Sequence, residues 1–349
     1  MFATHLYVAF CTIFAAGAIN VPADTASWVW RGPSTYYTRD DPLKITSAGA
    51  IQDAAASSNG TWFAGSVNGG VWRTQSIQEE QPQWENVLDG QPVTCSSISA
   101  LHVSKSDPRR VYAGCGGSTS SEQGYDWNVL NSGEWTGIMV TTDKGNTWRM
   151  VDQFPQNFYV TDIFETNPGT ILVSAQSHLF DRNEGGIWKV SVFAGFGESG
   201  ALTKVHNAPT FTLTALQQAQ QAGASVTLVA THARNAEKSV SISTDSGDTW
   251  QDYGTLSWAE GTYPFYTCAA AMVNGDLVVA GLTAQTANTS ATNSQFFIKR
   301  VSSGWEELAN QPTSMDEDGM PKDRMAILAD PSEGDLMYVA GNAGALHGV

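Results

Sequence analysis

The sequence is poor in positive charge. Its 349 residues include 18 lysines and arginines against 34 aspartates and glutamates, and the net charge is −16. Nucleic-acid-binding proteins carry a basic stripe, and proteins held on anionic lipid carry a basic cluster. The sequence contains neither, so we expect no nucleic-acid partner. The acidity favours solubility, and an anionic substrate would need a locally basic pocket.

Long apolar runs are also scarce, and the one candidate lies at the N-terminus. Residues 6–19 form an apolar run that is too short to span a bilayer comfortably, and Ala16-Gly17-Ala18 suits signal peptidase. We predict that residues 1–18 are a signal peptide and that the mature chain is secreted without membrane insertion. An uncleaved anchor and a plastid-type transit peptide stay open, because no lysine or arginine precedes the run. Two glycosylation sequons, at Asn59 and Asn288, are usable only in a secreted protein.

Cysteines are few. Removal of residues 1–18 removes Cys11 and leaves Cys95, Cys115 and Cys268, an odd number for a disulfide framework. Cys95 and Cys115 are placed to face each other across a hairpin, but buried free thiols are the favoured interpretation. The sequence has no Cys-x-x-Cys pair and no His/Cys cluster, so we predict neither a metal site nor a cofactor.

Glycine and tryptophan, in contrast, are abundant. The 33 glycines and 12 tryptophans are typical of many short strands joined by tight turns. Only residues 215–222 have a helical composition, and Gly223 follows them. The sequence therefore favours an all-β fold.

A box of eight residues, Ser/Thr-x-Asp-x-Gly-x-Thr-Trp, occurs twice. One copy begins at Thr141 and the other at Ser243, about 100 residues later, which is two units of about 50 residues. Apolar runs that end in Ala-Gly mark the second strands of such units, as at Ala64-Gly65 and Ala113-Gly114. The box residues are Thr141, Asp143, Gly145, Thr147, Trp148, Ser243, Asp245, Gly247, Thr249 and Trp250.

This spacing predicts one β-propeller domain over residues 27–349, built from four-stranded blades. The predicted blades cover residues 48–90, 94–156, 158–207, 209–256, 264–311 and 322–349. Six blades are favoured, with residues 27–33 completing the last blade because an open sheet edge invites aggregation. The alternative is a truncated protein of seven blades.

The box has a structural explanation. Its aspartate is expected to accept hydrogen bonds from amides of the turn between the third and fourth strands. Its glycine permits a positive φ, and its tryptophan buries a large surface between blades. We therefore expect Asp143, Asp245, Trp148 and Trp250 to stabilise the fold rather than to catalyse a reaction.

The two boxes resemble the Asp-box, or bacterial neuraminidase repeat, of sialidases, xyloglucan-active glycoside hydrolases, sortilin-type receptors and a photosystem assembly factor. Two further stretches are similar to Asp-box glycosyl-hydrolase-like proteins: Gly69-Gly70-Val71-Trp72-Arg73-Thr74, and Asp107-Pro108 before Val111-Tyr112-Ala113-Gly114. The resemblance covers nearly the whole mature chain as repeats. It implies a sialidase-like β-propeller, and it leaves the reaction open because the superfamily includes proteins that are not enzymes.

The catalytic residues that the resemblance implies are not found. Sialidases bind the substrate carboxylate with three arginines, but the Phe/Tyr-Arg-Ile/Leu-Pro motif is absent, and Arg31 lies in the predicted closing strand. Xyloglucan-active relatives place a catalytic aspartate just before a Gly-Gly pair, where this sequence has Val67 or Asn68. No catalytic residue is identified, and activity as a glycoside hydrolase stays open.

The end of the propeller opposite the boxes is the expected functional end. Its predicted loops place aromatic rings beside carboxylates, and this combination suits sugar binding; the alternative is that the loops fold their aromatics over the blade edges. The candidate substrate-binding residues are Tyr125, Asp126, Trp127, Trp135, Asp181, Arg182, Arg234, Trp258, Glu260 and Tyr263. We predict a monomeric protein that acts on or binds a glycan or glycoprotein. The alternatives are a protein-binding, sortilin-like module and an assembly factor.

Overall fold

The computed structural model describes residues 51–116, 136–156, 158–177, 185–194, 201–208, 210–216, 225–232, 240–260, 262–284, 293–309, 325–330, 332 and 336–341. This part of the chain is all-β, as predicted. It contains five four-stranded antiparallel sheets and one strand pair. The described residues contain no helix long and apolar enough to cross a membrane.

Each sheet is built from strands that are consecutive in the chain and hydrogen-bonded in order. The first sheet contains β1 (Ile51–Ala56), β2 (Trp62–Ser66), β3 (Gly70–Thr74) and β4 (Glu85–Asn86). The second contains β5 (Ile98–Val103), β6 (Val111–Cys115), β7 (Ile138–Thr141) and β8 (Arg149–Met150). The third contains β9 (Phe158–Asn167), β10 (Thr170–Ser177), β11 (Gly185–Ser191) and β12 (Leu202–His206).

The fourth sheet contains β13 (Thr210–Ala215), β14 (Leu228–His232), β15 (Val240–Ser243) and β16 (Gln251–Asp252). The fifth contains β17 (Tyr263–Ala271), β18 (Leu277–Ala284), β19 (Asn293–Lys299) and β20 (Trp305–Glu307), and the pair is β21 (Met325–Ala329) with β22 (Met337–Gly341). The choice between six and seven blades stays a prediction. The predicted closing strand 27–33, the predicted signal peptide and most of the predicted helical stretch lie outside the described residues.

The first strands of the sheets form an inner row. Each of them contacts the first strand of the next sheet, in the order β1, β5, β9, β13, β17, β21. Apolar clusters fill the space between consecutive sheets; Tyr112 of the second sheet and Trp188 of the third lie in one such cluster. Blades packed face to face in this way around an inner row are the arrangement of a β-propeller.

The antiparallel order gives the molecule two distinct ends. Connections from first to second strands and from third to fourth strands lie at one end, which we call the box face because both boxes are on it. Connections from second to third strands and from each sheet to the next lie at the other end, which we call the loop face.

The box is a closed hydrogen-bonded turn. Asp143 Oδ1 accepts from the Thr147 amide (2.8 Å) and from the Thr141 hydroxyl (2.7 Å), and Asp143 Oδ2 accepts from the Thr147 hydroxyl (2.6 Å). Trp148 Nε1 donates to the Gly145 carbonyl at 3.1 Å, and Gly145 has a φ of 88°.

The second box repeats these bonds. The Thr249 amide and the Ser243 hydroxyl donate to Asp245 Oδ1 at 2.9 and 2.8 Å, and Trp250 Nε1 donates to the Gly247 carbonyl at 3.1 Å. Burial raises the pKa of Asp245, but the hydrogen bonds from Thr249 and Ser243 outweigh it and bring the pKa down to about 2. Each box therefore holds an ionised carboxylate as an acceptor for its own turn.

Both boxes also dock on the preceding sheet through a basic residue. Arg73 of β3 donates to Asn146 of the first box at 2.8 Å, and Lys189 of β11 pairs with Asp248, at the equivalent position of the second box, at 2.6 Å. Arg73 and Lys189 end the two Gly-Gly-x-Trp-Arg/Lys stretches of the sequence. Each box therefore joins its own blade to the preceding one. Each box with its docking residue spans two blades, which is also the spacing between the two boxes.

A buried ion pair joins the second and third sheets on the box face. Glu165 of β9, whose side chain is 4% exposed, accepts from Arg110 at 3.0 Å and from the Tyr112 hydroxyl at 2.7 Å. It also accepts from the Ser104 hydroxyl and the Gly169 amide. Burial raises the pKa of Glu165, but these hydrogen bonds together lower it below its usual value.

His102 of β5 lies beside this ion pair. Its Nε2 accepts from the Glu165 amide at 3.2 Å, so the ring nitrogen that faces Glu165 carries no proton. Burial lowers the pKa of His102 to about 4, although the charge of Glu165 opposes the shift.

We expect His102 to make folding stability fall as the solution becomes acidic. Below its usual pKa of 6.5 the unfolded chain binds a proton that the folded chain excludes until about pH 4. The free energy of unfolding lost between pH 6.5 and pH 4 is at most about 3 kcal/mol. Urea unfolding of the wild type and of His102→Gln at pH 7 and pH 4.5 measures it. The variant should lose less stability than the wild type, since all other titrating groups are common to both proteins; equal losses would contradict the assignment.

Candidate functional site on the loop face

Seven of the ten candidate substrate-binding residues lie outside the described residues. These are Tyr125, Asp126, Trp127, Trp135, Asp181, Arg182 and Arg234. The other three, Trp258, Glu260 and Tyr263, lie on the loop face, at the connection between the fourth and fifth sheets. Their role in binding stays a prediction.

Trp258 is half-buried and packs against β19, the third strand of the fifth sheet. Its ring meets the ring of Phe297 edge-on, with centroids 4.9 Å apart and an interplanar angle of 81°. The next amide, of Ala259, donates to Gln295 at 2.8 Å, and Gln295 donates in turn to Glu307 at 3.2 Å. This connection is therefore held to the fifth sheet and is not a free loop.

The connection thus carries the partly exposed ring of Trp258 two residues before Glu260, and its backbone is bonded to Gln295, which in turn reaches Glu307. Glu260 is exposed, and Tyr263 begins β17, where it pairs with Ala284. Rings and hydrogen-bonding groups in this combination fit the apolar face and the hydroxyls of a sugar. The sequence prediction included Trp258 and Glu260 but missed Gln295 and Glu307, which belong to β19 and β20 of the next blade.

The position of the xyloglucanase aspartate lies in a tight turn between β2 and β3. Asn68 has a φ of 56°; its amide donates to Ser97 Oγ and its side-chain oxygen accepts from the same hydroxyl, both at 2.9 Å. Val67 is buried. The turn is fixed by the connection between the first two sheets and supplies no carboxylate.

A disulfide bond fixes the same part of the loop face. Cys95 and Cys115 are bonded, with their Cα atoms 5.7 Å apart, which corrects the favoured interpretation as free thiols. The bond joins the connection between the first and second sheets to the end of β6. Cys268 is buried and free, and burial raises its pKa to about 12.

Two carboxylates in the inner row were missed by the sequence analysis. Asp53 of β1 accepts from the amides of Ala54 (2.8 Å) and Leu101 (2.6 Å). Asp162 of β9 accepts from the amides of Ile163 and Leu213, both at 2.7 Å. Each carboxylate therefore ties one inner strand to the inner strand of the next sheet.

The protein interior shifts both of these carboxyl groups towards neutrality. Burial raises the pKa of Asp53 to about 6, against its backbone hydrogen bonds. Burial, together with the charge of Asp53, raises the pKa of Asp162 to about 7, against its backbone hydrogen bonds. A pair of this kind has the pKa values of a general acid and base, but all four oxygens already accept a backbone amide. The geometry thus gives these residues a role in joining blades.

Among the described residues, no group of three or more His, Cys, Asp or Glu side chains is placed to hold a metal ion.

Radial four-stranded sheets, with box turns on one face, define this chain as a β-propeller. Similar solved structures include an ancestral GH74 enzyme, with a TM-score of 0.57 and 16% identity over 90% of this chain and 36% of that one. The GH74 xyloglucanase from Xanthomonas campestris has a TM-score of 0.57 and 13% identity, over 84% of this chain and 42% of its own. The GH74 enzyme of Niastella koreensis has a TM-score of 0.53 and 15% identity, over 84% and 41%.

These likenesses confirm the predicted resemblance to glycoside-hydrolase-like propellers at the level of fold. The chain spans less than half the length of each of the three GH74 proteins. No family model matches the sequence, and no curated protein matches it significantly.

Proposed function

We propose that the protein is a glycan-binding propeller whose ligand lies on the loop face, against the connection that carries Trp258 and Glu260. The observation that carries this proposal is the fold shared with GH74 enzymes over 84% to 90% of the chain. One of those proteins is a xyloglucanase, so a β-glucan is the first ligand class to test. The half-buried ring of Trp258, on the connection that carries Glu260 and is bonded to Gln295, supports the same interpretation.

Binding without hydrolysis is the form of this function that the described residues favour. Glycoside hydrolysis requires two suitably separated carboxyl groups at the scissile bond. The turn at Asn68 offers none, and the oxygens of Asp53 and Asp162 are engaged by backbone amides. We therefore propose a protein that retains the fold of a glycoside hydrolase and binds sugar without cleaving it.

Secretion belongs to the same proposal. A disulfide such as Cys95–Cys115 persists in oxidising compartments, and the predicted signal peptide and the sequons agree with that location. A monomeric state is proposed with it.

A glycan array, followed by release assays on sialosides and β-glucans, tests the function. We expect binding without release of sugar. Trp258→Ala should weaken the affinity about tenfold, which corresponds to about 1.4 kcal/mol. The control is Phe193→Ala, which removes a ring that is 51% exposed on the box face and should leave the affinity unchanged. Failure to bind any glycan would overturn the proposal and point to a protein ligand; sugar release would overturn its non-catalytic form.

A further inference from the structure

Two histidines meet at the junction between the third and fourth sheets, at the loop-face end. His206 ends β12 of the third sheet, and His232 ends β14 of the fourth. Their imidazole rings are stacked, with centroids 4.8 Å apart and an interplanar angle of 3°. His232 is 1% exposed, and His206 is half-buried.

Hydrogen bonds through these two rings form a closed cycle. The Ala208 amide donates to His206 Nδ1 at 3.1 Å, and His206 Nε2 lies 3.4 Å from Ser241 Oγ. Ser241 Oγ lies 2.8 Å from His232 Nε2, and His232 Nδ1 lies 3.0 Å from Thr210 Oγ1. The Thr210 hydroxyl donates back to the Ala208 carbonyl at 2.9 Å. We call these five residues the histidine cycle.

The two backbone contacts fix every proton in the histidine cycle. Because His206 Nδ1 accepts from an amide, a neutral His206 carries its proton on Nε2 and donates to Ser241. Because the Thr210 hydroxyl donates to a carbonyl, it accepts from His232 Nδ1, which leaves His232 Nε2 as the acceptor for Ser241. The cycle is thus complete only when both imidazoles are neutral, each in a defined tautomer.

An added proton breaks the cycle at either histidine. A proton on His206 Nδ1 faces the Ala208 N–H, so two donors oppose each other. A proton on His232 Nε2 gives Ser241 two donors and leaves its own hydroxyl hydrogen without its acceptor in the cycle. Protonation of both rings also stacks two positive charges, with Ser241 and Thr210 almost fully buried around them.

Nearby groups shape the titration of His206. Burial lowers its pKa below the usual value; the charge of Asp252 on β16 and the backbone contact with Ala208 raise it, and the charge of Lys204 on its own strand lowers it. The indole of Trp250, the box tryptophan of the fourth sheet, meets the His206 ring at 5.9 Å and carries no charge.

We propose that the histidine cycle is a proton-operated latch between the third and fourth sheets. With both imidazoles neutral, the latch holds the end of β12 against β14 and β15 on the loop face. When either imidazole is protonated, the cycle opens and the junction separates locally, while the rest of the fold stays intact. The latch does not depend on the identity of the ligand proposed above.

Hydrogen exchange of the full chain at pH 7.5 and pH 4.5 tests the latch. We expect protection factors over residues 202–208, 210–216, 228–232 and 240–243 of the wild type to fall at the lower pH by at least tenfold more than those of the first sheet. His206→Gln and His232→Gln should remove this fall, because an amide side chain keeps a donor and an acceptor and does not titrate. His102→Gln is the matched control; His102 lies in the second sheet, outside the latch, so the fall should persist.

The proposal is overturned when wild-type protection at the junction is the same at both pH values, or when both glutamine variants keep the wild-type response. Nitrogen-15 spectra of labelled histidine in the wild type give a second test that needs no variant. We expect His206 protonated on Nε2 and His232 protonated on Nδ1 at pH 7.5. The opposite tautomer at either ring, or a charged imidazole at that pH, would overturn the latch.

Discussion

Replacing Glu165 by alanine is expected to lower the free energy of unfolding by about 3 to 5 kcal/mol. The change removes the carboxylate that Arg110 and Tyr112 share and leaves the guanidinium of Arg110, which is 15% exposed, without its buried partner. It also removes the acceptor of the Ser104 hydroxyl and the Gly169 amide. Urea unfolding at pH 7, followed by tryptophan fluorescence, measures the loss.

The ion pair between Lys189 and Asp248 provides the control. Asp248 is 57% exposed, and surface pairs of this kind contribute about 0 to 1 kcal/mol. Asp248→Ala should therefore leave the urea midpoint nearly unchanged. Similar losses for the two variants would show that the pair between Glu165 and Arg110 is not a buried brace between the second and third sheets.

Trp148→Ala is expected to destabilise the protein by about 3 to 5 kcal/mol as well. The indole is 3% exposed and lies in the apolar cluster between the first and second sheets. Its Nε1 also closes the box turn by donating to the Gly145 carbonyl. The truncation therefore opens a cavity between two blades and removes a turn contact at once.

Trp250→Ala is the matched comparison, because Trp250 occupies the same box position and makes the same bond to the Gly247 carbonyl. Its ring is only half-buried, so its truncation should cost less than that of Trp148. Thermal unfolding of both variants measures the difference. We assign most of the stabilisation by these tryptophans to burial of the ring and not to the hydrogen bond. An equal or larger loss of stability for Trp250→Ala would contradict that assignment.

The sequence predicts the strands and the boxes well because these are local patterns. The Ala-Gly pairs marked second strands correctly, and the structure gives the physical reason. A side chain at Gly65 would lie 2.5 Å from Ile98 of the next inner strand, and one at Gly114 would collide with Val160 in the same way. The glycine is therefore needed where consecutive blades approach each other most closely.

Contacts between blades were harder to predict, because their partners are about 50 residues apart in the chain. Asp53 and Asp162 read as isolated polar residues in apolar strands, and only the structure shows that each binds the amide of the next inner strand. The histidine cycle was missed for the same reason, since His206 and His232 belong to different sheets. The disulfide was disfavoured because the cysteine count is odd, and a count carries no information on the distance between two cysteines.

Hydrogen exchange with and without a saturating β-glucan oligosaccharide tests the proposed site most directly. Binding at the loop face predicts new protection over residues 253–260 and 293–297, with no change in the box turns at 141–148 and 243–250. Protection confined to the box turns, or no protection anywhere at a saturating concentration, would contradict the assignment of the loop face as a glycan-binding surface.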